Sequence, residues 1–208
     1  MKIYPYSKIP KGTKYLWYLL RAALLTWGIV MLCLGYPVQF AQALGAIGFT
    51  HLWGFFQIFG AKGFLSRMPY SLQSKFNIFI ALGCVVGTSI NIFTSFVDID
   101  IPEHIFAGYL GVCFGWELAC LMQEKYGKIS PALNAICSIS IALAILTVWE
   151  IYEFGLDRVF GLRLQQSTPD SDSGLLDTMW DLINGTCGAL VGMFSMLWAK
   201  KRRHHTDA

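Results

Sequence analysis

Charged residues are scarce in this 208-residue chain, which excludes most soluble folds. Only 14% of its residues are charged and 55% are hydrophobic, whereas a soluble domain carries roughly 25% charged residues. Familiar catalytic and nucleotide-binding motifs are missing too, since no Walker loop, HExxH or GxSxG pattern occurs. The six cysteines form no CxxC pair and show no zinc-site spacing. We therefore interpret them as buried, unreactive thiols.

Six long apolar segments are present instead. A helix needs about 20 mostly apolar residues to cross a bilayer, and polar residues or prolines bound each of the six segments. The sequence predicts an all-α, polytopic integral membrane bundle of six transmembrane helices, forming a single membrane domain over residues 1–208. The predicted spans are 15–35, 40–60, 76–96, 104–123, 131–155 and 175–199.

Basic residues predict the orientation of these spans, because short cytoplasmic loops hold the excess of lysine and arginine. Of the 16 basic residues, 13 fall in the two tails and the second and fourth connections, two fall in the fifth connection, and Arg21 lies within the first span. This distribution predicts cytoplasmic termini and a multi-pass protein of the inner membrane, with the lipid bilayer as its main partner. We expect no nucleic-acid partner, and the oligomeric state stays open.

Acidic residues stand where a membrane protein tolerates them least. Two polar stripes with helical spacing end the fifth span and begin the sixth; they consist of Glu150, Glu153 and Asp157, then Asp177, Asp181 and Asn184. A carboxylate inside a bilayer costs about 2.5–3.5 kcal/mol, so such a set needs partners, water or a bound cation. The third connection, external by the same topology, adds Asp100, Glu103 and His104. We expect the three segments to converge on one site below the outer surface.

Small residues continue the second stripe below its acids. Gly188 and Gly192 follow Asn184 at one-turn intervals, and small residues at such spacing let another helix approach closely. The last helix should therefore be polar at its start and tightly packed further down, along a single face.

Several kinds of chemistry are open to these residues. We assign catalysis to Glu150, Glu153, Asp177, Asp181 and His104, and substrate binding to Asp157, Asn184 and Asp100. A divalent cation is the candidate cofactor, with Glu150, Glu153, Asp181 and His104 as its ligands. The same groups could instead share protons or bind a cationic or hydroxyl-rich headgroup. Helix capping is the alternative for Glu103 and Asp177, and a structural hydrogen-bond network is the alternative for Glu150 and Asp181.

Residues 149–192 resemble the signature of the YjdF-like family of uncharacterised bacterial inner-membrane proteins. The matching residues are Trp149-Glu150-Ile151-Tyr152-Glu153, Gln165 and Gln166, Asp177-Thr178-Met179-Trp180-Asp181-Leu182, and Gly188-Ala189. An acid followed by His104 and Gly108 also fits that family's pattern. The sixth span is similar to the end of VanZ-like membrane proteins, which are linked to glycopeptide resistance; their pattern has an arginine shortly before its aspartate, and the preceding arginine here is Arg163. These resemblances imply a topology and a site location, but no reaction.

Three functions fit these observations. The first is binding or processing of a lipid-linked or cell-envelope molecule at an outward-facing carboxylate/His site. The second is a small proton- or cation-coupled transporter. In that case His51 and Glu117 are the other candidate residues to carry a proton or cation across the membrane. The third is a structural or regulatory membrane subunit whose acids form a buried network. Whether the protein is an enzyme stays open, because deep carboxylates are numerous but no nucleophile is evident.

Overall fold

Helices are the regular secondary structure of the described chain. The computed structural model describes residues 4–59, 64–93, 99–124, 130–160, 164–165 and 172–206. Its α-helices are α1 (Lys11–Cys33), α2 (Pro37–Phe59), α3 (Tyr70–Leu82), α4 (Thr88–Phe93), α5 (Asp100–Glu124), α6 (Pro131–Phe160) and α7 (Ser173–Thr206). A π-helical turn, Gly83–Gly87, joins α3 to α4. No strand occurs within these ranges, which confirms the predicted helical class.

Within the part of the chain that the structure describes, four segments are long and apolar enough to cross a membrane, judged by length and composition. They are Lys11–Cys33, Tyr70–Ile90, Asp100–Glu124 and Pro131–Val159, and they support a helical membrane bundle. Helices α2 and α7 overlap the predicted second and sixth spans. The count of six spans and the cytoplasmic termini stay predictions.

The chain divides into two compact units at residue 99. In the first unit, α1 packs against α2 and α3, partly around Leu24, Ala46 and Ala81. Several polar groups within this unit are paired across helices. The Arg21 guanidinium donates to the hydroxyl and to the carbonyl of Thr50, at 3.0 and 2.8 Å. This intramembrane arginine of the sequence therefore has partners within the protein.

In the second unit, α5 packs against both α6 and α7. Glycines make the α5–α7 contact close: a Cβ added to Gly188 would lie 1.9 Å from the carbonyl oxygen of Ile105, and one added to Gly192 would lie 3.2 Å from the Tyr109 ring. The close approach expected at Gly188 and Gly192 is confirmed. Residue numbers rise together along the two helices, so α5 and α7 run parallel.

Helix α6 also packs closely against the glycine-rich α5, in an antiparallel direction. A Cβ on Gly111 would lie 3.0 Å from the Cα of Ala142, and one on Gly115 would lie 2.8 Å from the Cα of Ser138. Because α6 runs against α5, its last turns lie at the same end of the unit as the first turns of α5 and α7. That end carries the polar stripes of the sequence.

Candidate carboxylate–histidine site

His104 lies among three carboxylates in the second unit. Its Nε2 is 3.3 Å from Oδ1 of Asp100 and 3.8 Å from Oδ2 of Asp181, and its Nδ1 is 3.9 Å from Oε1 of Glu150. Asp100 precedes His104 by one turn on α5, whereas Glu150 comes from α6 and Asp181 from α7. Three helices thus place one imidazole between acids of both predicted stripes and the third connection. We call these four residues the carboxylate–histidine site.

The backbone contacts below this site explain why its side chains meet. His104 stands one turn before Gly108 on α5, and Asp181 stands one turn before Gly185 on α7. Gly108 and Gly185 touch so closely that a Cβ on Gly108 would lie 1.8 Å from the Gly185 carbonyl oxygen. Parallel helices in such contact bring residues one turn away on the same side to the same level. The glycines therefore bring His104 and Asp181 together.

Four polar side-chain atoms of the carboxylate–histidine site are buried without a hydrogen-bond partner among the described residues. His104, Glu150 and Asp181 are only 5%, 5% and 3% exposed. Among the described residues, no hydrogen bond reaches Nδ1 of His104, either carboxylate oxygen of Glu150, or Oδ2 of Asp181. Buried polar groups are nearly always paired, and an unpaired one costs about 1–3 kcal/mol, with more for a charged group. The site is therefore arranged to receive hydrogen-bond donors or positive charge.

Asp157 contacts the link that follows α6. Its two carboxylate oxygens accept the backbone N–H groups of Leu164 and Gln165 at 2.8 and 3.0 Å. The buried Gln165 side chain donates to the Thr178 hydroxyl at 2.7 Å. Thr178 also interacts with Glu150, outside normal hydrogen-bond geometry. Asp157 thus positions Gln165 beside the carboxylate–histidine site, and its predicted contact with substrate stays a prediction.

The other predicted site residues surround the buried four. Glu153 lies one turn beyond Glu150 on α6 and is half-buried. Asp177 and Asn184 lie one turn on either side of Asp181 on α7 and are half-buried as well. Sequence reasoning gave no role to Thr178, although it lies three residues before Asp181, on the same helical face. Gln165 belongs to the family resemblance, but nothing in its local sequence pattern indicates that it reaches α7.

Among the described residues, one group of ligand atoms is close enough together to hold an ion. Asp100, His104 and Asp181 each offer one atom, and all lie within 4.8 Å of one another. Bonds of about 2.0–2.6 Å separate opposite ligands of one ion by roughly 4–5 Å, so this spacing fits a single cation. The group contains two of the predicted metal ligands, His104 and Asp181. Asp100 joins them, whereas Glu150 approaches the other ring nitrogen.

Comparison with known proteins gives the chain a family. A family model described as "Predicted membrane protein (DUF2238)" matches residues 4–202. The chain belongs to this family. The match covers nearly the whole chain and agrees with the four membrane-compatible segments, so a multi-pass location in a lipid bilayer follows. No curated protein and no solved structure matches it. The narrower resemblances to YjdF-like and VanZ-like proteins stay predictions.

Proposed function

We propose that this protein binds or processes a lipid-linked or cell-envelope molecule at the carboxylate–histidine site. The proposal includes six spans, cytoplasmic termini, an inner-membrane location and a site that opens outward. Its main support is the buried His104 among Asp100, Glu150 and Asp181, with acceptor atoms that no described residue pairs. The distribution of basic residues supports the outward orientation.

The chemistry of the unpaired atoms indicates what the bound group offers. Carboxylate oxygens accept hydrogen bonds and attract cations. Three of the four unpaired atoms are such oxygens, two on Glu150 and one on Asp181. A bound molecule should therefore present hydroxyl or amine donors, as a sugar or amino headgroup does. Anionic groups alone would meet repulsion here unless a cation came between.

Aromatic residues support a location near the membrane surface. Trp149 and Tyr152 are exposed next to Glu150, with ring centroids 5.5 Å apart, and Trp180 is exposed next to Asp181. Exposed tryptophan and tyrosine are typical of the membrane–water interface. At that depth, the headgroup of a lipid-linked molecule lies level with the site.

Proton-coupled transport has weaker support. Glu117 follows His104 by 13 residues on α5, which is about 20 Å along a helix. The intervening segment contains no acidic or basic residue. His51, the other candidate proton-carrying residue, is exposed on α2. A proton leaving His104 would therefore need carriers that α5 does not supply, so we rank transport below binding or processing.

The test is the identity of the envelope lipids that co-purify with the full-length protein. Mass spectrometry should find one lipid class enriched with the wild type and lost from Asp181→Asn and Glu150→Gln, which keep side-chain shape but remove a charge. Glu117→Gln is the matched control, because it neutralises a half-buried acid of α5 far from the site. The same lipid profile in all four proteins would reject the proposal.

A further inference from the structure

We propose that the carboxylate–histidine site is a divalent transition-metal centre. In this proposal Asp100, Nε2 of His104 and Asp181 bind the ion, and Glu150 is a positioning residue that accepts the Nδ1–H of His104. The centre deepens the proposed function, on which it rests for its location, and the ion supplies positive charge to the unpaired Oδ2 of Asp181. Three features of the second unit support the metal centre: the spacing of its ligands, their chemical type and the position of Glu150.

The first step is the spacing of the three ligands. Metal–ligand bonds of about 2.0–2.2 Å place neighbouring ligands roughly 3–3.5 Å apart. The Nε2 atom of His104 is 3.3 Å from the Asp100 oxygen and 3.8 Å from the Asp181 oxygen. Both distances are within a few tenths of an ångström of that separation. All three ligand atoms lie within 4.8 Å of one another, so the set needs only small side-chain rotations to close around one ion.

The second step is the class of metal. Imidazole suits Zn, Fe, Cu and Ni, whereas carboxylates also suit Mn. Mg²⁺ and Ca²⁺ prefer ligand sets made of oxygen alone. One histidine with two aspartates thus favours Mn²⁺, Fe²⁺ or Zn²⁺. Three protein ligands also leave a coordination position open for a water molecule or a substrate hydroxyl.

The third step is the role of Glu150. A metal-bound histidine usually donates its other ring N–H to a carboxylate, which fixes its tautomer and orientation. Glu150 Oε1 is the carboxylate oxygen facing Nδ1 of His104, at 3.9 Å. This is about 1 Å longer than a hydrogen bond. No hydrogen bond from the described residues holds either Glu150 oxygen elsewhere, so a turn of the side chain can close the gap.

Metal analysis of the full-length protein tests the ligand set. The protein should carry no polyhistidine tag, and His204→Ala and His205→Ala should remove the histidine pair of the C-terminal tail. The protein is stripped with a chelator, reloaded with one metal at a time and dialysed. We expect it to retain one Mn²⁺ or Zn²⁺ per chain, and no Mg²⁺. Asp181→Asn and His104→Ala should lose the ion, whereas Glu117→Gln should keep it. Equal retention by the wild type and His104→Ala would overturn the centre.

A second measurement tests Glu150. Glu150→Ala should weaken Zn²⁺ binding by about 10–100-fold, and Glu150→Gln should recover part of that loss because its amide oxygen still accepts. In histidine-labelled, Zn²⁺-loaded protein, the ¹⁵N signals of His104 should show a metal-bound Nε2 and a protonated Nδ1. Unchanged affinity in Glu150→Ala, or a metal-bound Nδ1, would overturn this role.

The two proposals can fail separately. An envelope lipid that co-purifies with a protein unable to bind any ion would reject the metal centre and leave the proposed function standing. Ion binding with no lipid affected by Asp181→Asn would reject the proposed function and support the centre.

Discussion

Gly108→Ala would place a methyl group where the backbones of α5 and α7 touch. Its Cβ would lie 1.8 Å from the carbonyl oxygen of Gly185 and 2.7 Å from the carbonyl carbon. Cβ atoms essentially never come within 3.0 Å of such backbone atoms, so α5 must move away from α7 by at least about 1.2 Å. Both obstructing atoms are backbone, so no side-chain rotation can relieve the contact.

The displacement has two consequences of predictable size. Overpacking of this kind costs about 1–3 kcal/mol, and the better helix propensity of alanine returns up to about 1 kcal/mol, which leaves a net loss of about 0–3 kcal/mol in the free energy of unfolding. His104 lies one turn before Gly108 and would move with it. Its 3.8 Å separation from Asp181 would grow to roughly 5 Å. This displacement of about 1.2 Å exceeds the misplacement of about 0.5 Å that a binding site tolerates.

Thermal unfolding in one detergent, with lipid and metal retention on the same samples, measures both consequences. The matched control is Gly45→Ala in α2, where an added Cβ meets no atom within 4 Å. Gly45→Ala should melt at or above the wild-type temperature and retain whatever the wild type retains. Gly108→Ala should melt lower and lose ligand. If Gly108→Ala behaved like Gly45→Ala, the close α5–α7 contact would not exist as described.

Three further substitutions test the orientation of the chain, the Asp157 hydrogen bonds and the buried amide of Asn77. Ser171→Cys, outside the described residues, should react with an impermeant thiol reagent in intact cells when the native cysteines are replaced; labelling only after lysis would contradict the outward orientation. Asp157→Asn removes one of two acceptors for backbone N–H groups and should lower the free energy of unfolding by about 1 kcal/mol, whereas the exposed Asp172→Asn should not. Asn77→Leu replaces a fully buried amide with no partner among the described residues, so it should keep or raise the melting temperature; a clear fall would show that the amide binds something.

Helical periodicity predicted that acids from two different helices would meet near His104. Glu150 and Asp181 lie on separate helices, and both face His104. Their positions follow from spacing along each helix and from the direction of each span, which the chain itself encodes. The glycines below them follow the same rule, because close helix contacts need small residues at one-turn intervals.

Contacts made by the α6–α7 link could not be predicted in this way. Asp157 accepts from backbone groups seven and eight residues later, and Gln165 reaches Thr178 on another helix. No periodic pattern encodes such pairs, because they depend on the path of an irregular segment. Helical spacing also placed Asp157 and Glu150 on the same predicted stripe and could not tell them apart. In the structure both oxygens of Asp157 accept hydrogen bonds, whereas no described residue pairs those of Glu150.

That difference separates the structural and functional explanations of the acids. Asp157 stabilises the fold, because both of its oxygens accept hydrogen bonds. Glu150 and Asp181 are more deeply buried and retain oxygens that no described residue pairs, so each destabilises the fold unless a proton, a cation or a ligand offsets its charge. In a purely structural network these atoms would be paired with hydrogen-bond partners. If the positions served only packing, apolar side chains of similar size could occupy them at little cost in stability. Local features that oppose stability are expected at functional sites, and in the second unit they occur where three helices converge on His104.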